Sequence, residues 1–295
     1  MRRQWNVWLF STVLLVGAAC TGGAGEGNDG KTDAKSDAKS DAKTDAKAPD
    51  GPAADLPDAA ALLDKAVEAV GGKAKLASIT SYHLKGKLSV SAQKITGDLE
   101  LWWKDGDFYT EQSIVGIGQI RAGKQGERIW SEDPINGRRE LKGLEAEQHT
   151  WASSLLLAAD WKRYFDKAET IGKREKDGAT LYDVKLVSSS GAEVELSFDA
   201  DSGLQVAQKF QQDTPLGKMP VSVEMQDYRD VEGLKLPFKQ TTDASLAKAT
   251  QEITSIEFNV PVDETKFAMP TGGAPVVDGK APADAPKPPV EEKAG

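Results

Sequence analysis

Two histidines, one cysteine and 46 carboxylates are the groups in this chain that could do chemistry. A zinc site needs three or four His, Cys or carboxylate ligands converging, and its usual signatures are His-Glu-x-x-His or paired cysteines. Neither is present, and a single Cys also excludes a disulfide within the chain. A serine nucleophile on an elbow would stand in Gly-x-Ser-x-Gly, which the sequence lacks. Gly116-Ile117-Gly118 lacks the third glycine of a dinucleotide loop and reads as a strand with a bulge. With Asp and Glu this common, chance proximity accounts for any carboxylate pair that resembles a glycosidase site. His83 and His149 read as surface histidines. No catalytic residue, no metal ligand and no cofactor is expected. The formal charge of −9, with no basic cluster, argues against nucleic acid as a partner.

The position of the one cysteine is more informative. Residues 1–19 carry Arg2 and Arg3, then a mostly apolar run from Val7 to Ala19. That run is too short for a spanning helix of about 20 residues and suits a secretory signal. It ends Gly17-Ala18-Ala19, and Cys20 follows at once. This pattern resembles a bacterial lipoprotein signal, in which the Cys is lipidated and becomes the first residue. Ordinary secretion is the alternative, but it would leave Cys20 as a lone thiol in an oxidising space. Two or more acyl chains, at ~0.8 kcal/mol per buried methylene, would hold the protein stably on a bilayer. Thr21 rather than Asp follows the Cys, which implies export to the outer membrane of a Gram-negative-type bacterium.

Residues 20–57 read as a tether. They contain KTDA, KSDA, KSDA and KTDA in succession from Lys31 to Ala46, with charges that cancel. Such a tract cannot build a core and is expected to be disordered, with an end-to-end distance of roughly 35 Å. Residues 272–295, rich in Pro and Ala, read the same way. The folded domain is then 58–271.

Its aromatic residues are the remaining site candidates. Trp103, Trp151, Leu155, Trp161 and Phe165 are of the type that lines an acyl-chain cavity, and equally of the type that fills a core outright. Trp102 faces the opposite side from Trp103 and reads as exposed, a contact for membrane or partner.

The elements that position them follow from periodicity. Leu62, Leu63, Ala66, Val67 and Val70 recur at helical spacing, and Gly71-Gly72 ends the run, with a short second helical turn at 73–77. From Tyr82 the period becomes two: Tyr82, Leu84, Gly86, Leu88 and Val90, then Ile95, Gly97, Leu99, Leu101 and Trp103. Further strands are expected at 119–123, 127–131 and 138–142, the last after an Asn136-Gly137 hairpin signal. The second half repeats the grammar at Tyr182–Leu186, Val194–Phe198, Leu204–Phe210, Val221–Met225, Leu234–Phe238 and 250–259. One helix, Leu144 to Phe165, interrupts the strands, with Trp151, Leu155, Ala158, Trp161 and Phe165 on one stripe. The fold class is mainly β with α: a curled antiparallel sheet, an incomplete β-barrel of about 11–13 strands, covered by helices.

Five segments then carry a resemblance: ALLDKAVEAVGGKAKLASI at 61–79, GERIWSEDPINGRRELKG at 126–143, FDADSGLQV at 198–206, QDYRDVEGLKLPF at 226–238 and FNVPVDETKFAMP at 258–270. Together they resemble the bacterial outer-membrane lipoprotein-sorting family, the fold of the periplasmic lipoprotein carriers and of mycobacterial lipid-carrying lipoproteins. The resemblance implies an incomplete barrel with a helical lid over an apolar cavity, and a lipid or acylated protein as cargo. The expected function is a membrane-anchored envelope lipoprotein that binds an apolar ligand and does not transform it. The alternative is a structural or interaction lipoprotein with a filled core.

Overall fold

The structure is a computed structural model, and it describes residues 56–90, 94–214, 217–244 and 247–272. Cys20, the signal, the repeat tether and nearly all of the tail lie outside the described residues. Helix α1 spans Ala59–Val70 and α2 spans Lys73–Ala77. Six strands follow: β1 Ser81–Val90, β2 Ile95–Lys104, β3 Asp107–Ile114, β4 Gly118–Gln125, β5 Arg128–Asp133 and β6 Gly137–Glu140. Helices α3 (Gly143–Ala152) and α4 (Leu157–Tyr164) separate them from seven more. These are β7 Lys167–Lys176, β8 Ala179–Val187, β9 Glu193–Asp199, β10 Gln205–Thr214, β11 Gly217–Val231, β12 Leu234–Asp243 and β13 Lys248–Phe258.

All 13 strands form one antiparallel sheet in the order β6-β5-β4-β3-β2-β1-β13-β12-β11-β10-β9-β8-β7. Each half is a meander, and the pairing of β1 with β13 joins the halves. The sheet edges, β6 and β7, are therefore neighbours in sequence, and α3 and α4 connect them. The barrel stays open there, and its concave face packs around the helices. Tyr82, Leu84, Trp103, Val184, Val194, Leu196 and Phe198 from the sheet share one core with Leu63, Ala66 and Val70 of α1.

Local chemistry explains the ends of α1. Asp58 is its N-cap and accepts from the amide of Ala61 at 3.0 Å. At the other end the Gly71 and Gly72 amides donate to the carbonyls of Glu68 and Val67. Gly71 has φ of 136°, and a Cβ there would sit 2.5 Å from the Gly233 carbonyl oxygen, so no other residue fits.

Five sequence expectations are corrected. The single helix over 144–165 is two helices, broken at Ser153–Leu156. Every side chain from Trp151 to Ala158 is buried, which a helix covered on one face cannot achieve. The backbone is extended at Leu156, with φ of −148° and ψ of 98°. Leu155 therefore lies in the linker, not on a helical stripe. Gly116 and Ile117 form the turn between β3 and β4, not a bulged strand, with φ of 80° at Gly116. In β10 a bulge between Gln205 and Ala207 resets the pleat, so Gln205, Gln208, Phe210 and Gln212 are the buried positions and Val206 is not among them. His83 is 8% exposed, not a surface residue. Its ring stacks on Trp102 with 3.5 Å between centroids, and its Nε2 lies 2.7 Å from Glu100 Oε1. Trp102 is in turn half-buried, with Lys266 Nζ 5.4 Å from its ring, and is not the exposed aromatic expected.

The segments that carry the family resemblance do structural work here. Trp130 donates to the Phe267 carbonyl at 2.9 Å, and Arg138 Nη1 donates to the carbonyls of Pro270 and Gly272 at 2.7 and 2.8 Å. Residues 267–272 are thereby tied across β5 and β6. Tyr228 donates to the Gln205 carbonyl, and Asp230 accepts from the Gly233 amide at 3.0 Å to close the β11–β12 turn.

Candidate functional site

The gap between the sheet edges holds a lid-like feature. Helix α3 lies over it, held by polar side chains at both flanks. Arg139 of β6 makes a two-pronged pair with Glu145, its Nη1 2.6 Å from Glu145 Oε2. On the other side Gln148 donates to the Gln211 carbonyl, and the Asp213 amide donates to Gln148 Oε1 at 2.7 Å. Ser190, in the turn after β8, donates to Glu147 at 2.6 Å. α3 has no side-chain cap at its N-terminus, and only Gln148, Trp151 and Ala152 on it are buried.

Beneath α3 is a hollow with about 50 Å³ of free space. Its floor is Leu101, Phe108, Thr110, Gln112, Ala122 and Ser131 of the first half, and its far wall is Phe210 and Gln212 of β10. Arg121, Asp133, Glu145, His149 and Asp213 stand around it. A second hollow of about 30 Å³ lies past the end of α3, bordered by Leu155–Leu157, Val70, Met225, Tyr228 and Leu236. Of the five residues proposed from sequence, Trp151 and Leu155 border this second hollow, while Trp103, Trp161 and Phe165 line neither. Trp103 is fully buried beside Tyr82, with ring centroids 5.5 Å apart. Phe165 packs against Trp151 at 6.1 Å, and Trp161 is a half-buried flank of the core.

Sequence reading missed the polar character of this interior. Gln112, Gln205, Gln208, Gln212, Gln240 and Gln251 are each 5% exposed or less, and all lie on inward strand positions. In the first hollow Gln112 Oε1, Gln212 Oε1, Ser131 Oγ and Arg121 Nε are buried without a hydrogen-bond partner in the protein. In the second the same holds for Trp151 Nε1, Ser154 Oγ and Gln240 Nε2. The available signal was the run Gln208-Lys209-Phe210-Gln211-Gln212, whose alternate members share a face.

Two titratable groups sit on the covering helices. His149, in the last turn of α3, is pushed down to about 4 by burial; Arg139 adds to this and Glu145 opposes it. It is half-buried rather than the surface histidine expected. Asp160 of α4 is pushed up to about 7 by burial, against the pull of Arg163, and its Oδ2 has no partner. Among the described residues, no three His, Cys, Asp or Glu side chains converge as a metal site would require. Nor is any described helix long and apolar enough to cross a membrane.

No family model matches the sequence, and no curated protein matches it. Solved structures do match in shape. A LolA superfamily protein from Nitrosomonas europaea superposes with a TM-score of 0.50 at 10% identity, over 72% of this chain and 98% of that one. A DUF1329 family protein from Desulfovibrio piger superposes with a TM-score of 0.50 at 11% identity, over 71% of this chain and 97% of that one. At such identities the likeness is one of fold, which this chain shares with these two proteins.

Proposed function

We propose that this chain is a bacterial envelope lipoprotein that binds the acyl part of a lipid or of an acylated protein between its sheet and α3, without transforming it. The observation that carries the reading is the hollow under α3: an apolar floor with buried polar atoms that the protein itself leaves unpaired. A buried polar group without a partner costs about 1–3 kcal/mol, so several together favour a ligand that supplies the bonds. The fold shared with a LolA superfamily protein supports the same reading.

Ligand pockets usually measure about 300–1,000 Å³, far above the roughly 50 Å³ found here. Binding therefore requires α3 to move away from the sheet. Its attachment by Arg139–Glu145 and Gln148 suits that motion, because polar contacts can be exchanged for water, whereas an apolar stripe cannot. Acylation of Cys20 would hold the protein on the outer membrane, and residues 20–57 would set its reach. The residues that would act are binding residues, and the reading includes no catalytic step.

The test is native mass spectrometry, with lipid extraction, on protein purified without detergent from a bacterial periplasm as a Cys20→Ser variant. Near-stoichiometric lipid is the expected result. Bare protein that also refuses added fatty acids, acylglycerols and phospholipids would leave the alternative, an interaction lipoprotein with a filled core. The small free volume of both hollows is what favours that second reading.

A further inference from the structure

The polar atoms of the first hollow say more than that something amphiphilic belongs there. Gln112 and Gln212 are 2% and 4% exposed, and each leaves its carboxamide oxygen unpaired at the hollow. Ser131 Oγ, 6% exposed as a residue, does the same. These are neutral groups, and three of them meet one small space lined by Leu101, Phe108 and Phe210. A carboxamide turned end for end presents a donor in place of an acceptor. A ligand hydroxyl both donates and accepts, so it satisfies either orientation.

The charges around the hollow argue against an anion. Arg121 is engaged by Glu132, Nη2 to Oε1 at 3.1 Å, and Arg139 by Glu145. His149 is held neutral at pH 7 by burial. The carboxylates of Glu132, Asp133, Glu145 and Asp213 then stand against the guanidiniums of Arg121, Arg138 and Arg139, which leaves the surroundings negative. A phosphate or a free carboxylate entering there would meet net negative charge, and Arg121 Nε is the cationic donor left unpaired in the lining.

We propose that the hollow under α3 takes the head of a neutral, hydroxyl-bearing acyl lipid, of the acylglycerol type, and discriminates against anionic heads. The inference rests on the acyl-binding reading above and specifies the head that accompanies the chain. Gln112, Gln212 and Ser131 bind the hydroxyls, and the chain follows the apolar wall toward Phe210 and Trp151.

The experiment compares three probes on the full chain: 1-monooleoylglycerol, methyl oleate, which keeps the acyl ester but has no hydroxyl, and oleoyl lysophosphatidylglycerol, which adds a phosphate. One neutral hydrogen bond in a dry site corresponds to about tenfold in affinity. Monooleoylglycerol is expected to bind at least about tenfold tighter than either of the others. In Gln112→Leu/Gln212→Leu that ratio collapses toward one. Ser131→Ala, the milder change, lowers it part-way and serves if the double variant does not fold. Equal affinity for all three probes, or tighter binding of the phosphate, overturns the inference and leaves acyl binding standing. So does a ratio that survives the double substitution, or a complex in which only water meets Gln112 and Gln212. Failure of every probe to bind overturns the acyl-binding reading, and this inference with it.

Discussion

Helix α1 is capped at both ends and lays six buried apolar residues on the sheet. Helices α3 and α4 cover the neighbouring stretch of the same concave face without a side-chain N-cap, and α3 is held at its flanks by polar clamps. Under α1 the interior is apolar and filled; under α3 it is hollow and fringed with glutamines. Under the proposed function the difference is that between a permanent wall and a movable cover. Burial of an apolar stripe must be undone as a unit, whereas a clamp of hydrogen bonds opens by exchange with water.

The contrast is most sharply tested by truncating one residue on α1. Leu63 is fully buried beneath it. Leu63→Ala is expected to cost about 3–5 kcal/mol, the transfer loss plus the cavity left behind. A urea titration that shows a loss under about 1 kcal/mol would mean that α1 is not the wall described.

Next in size is the response to pH. The folded protein favours neutral His149, whose value falls from 6.5 to about 4. The unfolded chain takes up that proton first, so this contribution is full above pH 6.5 and is lost as pH falls toward 4. Asp160 runs the other way. Its value rises from 3.8 to about 7, so its contribution is full below pH 3.8 and is lost as pH rises through 7. Each is worth roughly 2–3 kcal/mol after allowance for screening at half-buried positions. Over pH 4–6.5 the two oppose each other. His149→Gln should therefore gain stability relative to the parent on acidification from pH 7 to 4.5. Asp160→Asn should lose stability relative to the parent over that range and exceed it at pH 8. Parallel curves for the two variants would remove the buried titratable pair from the cover.

A smaller effect, of different character, is expected at the clamp. Gln148→Ala removes two hydrogen bonds to β10 and should cost about 1–2 kcal/mol. Because the clamp closes a cover, the change belongs mainly to local opening. Amide exchange across residues 143–164 should accelerate more than that of β8–β9. Uniform acceleration would show that α3 opens only with the whole domain.

Much of the wall was legible in the sequence, and little of the cover. The period-two residues of β1 and β2, from Tyr82 to Trp103, are buried as alternation requires, and Gly71-Gly72 ends α1 where the periodicity stops. Those features are local, and a strand's pleat or a helix's stripe states them residue by residue. The break at Ser153–Leu156 is not local: a continuous helical period runs through it, and it exists because tertiary packing buries the whole circumference. The bulge at Gln205–Ala207 is hidden for the same reason, since one inserted residue moves later side chains to the other face without changing composition. That shift is what brings Gln205, in place of Val206, to the face of Gln208 and Gln212. The site was therefore misread as aromatic, because Trp103, Trp161 and Phe165 are conspicuous by size while the glutamines are ordinary surface residues by type.

The smallest effect is the one that best separates a global from a local role. Asp58 caps α1 with one hydrogen bond to the Ala61 amide, so Asp58→Ala should cost about 1 kcal/mol, comparable with the loss of the Gln148 clamp. Its distribution should differ. α1 packs on α4, β7 and β12, and Lys65 donates to the Ala200 carbonyl at the β9–β10 turn, so α1 cannot loosen without disturbing α4 and the second half of the sheet. The loss should therefore appear in the urea midpoint with an unchanged slope. Ligand on-rates should stay as they were, whereas Gln148→Ala raises them by making the open form more frequent. Equal acceleration of lipid loading by both substitutions would mean that the hollow is reached by loosening the domain as a whole, and α3 would then be no more a door than α1.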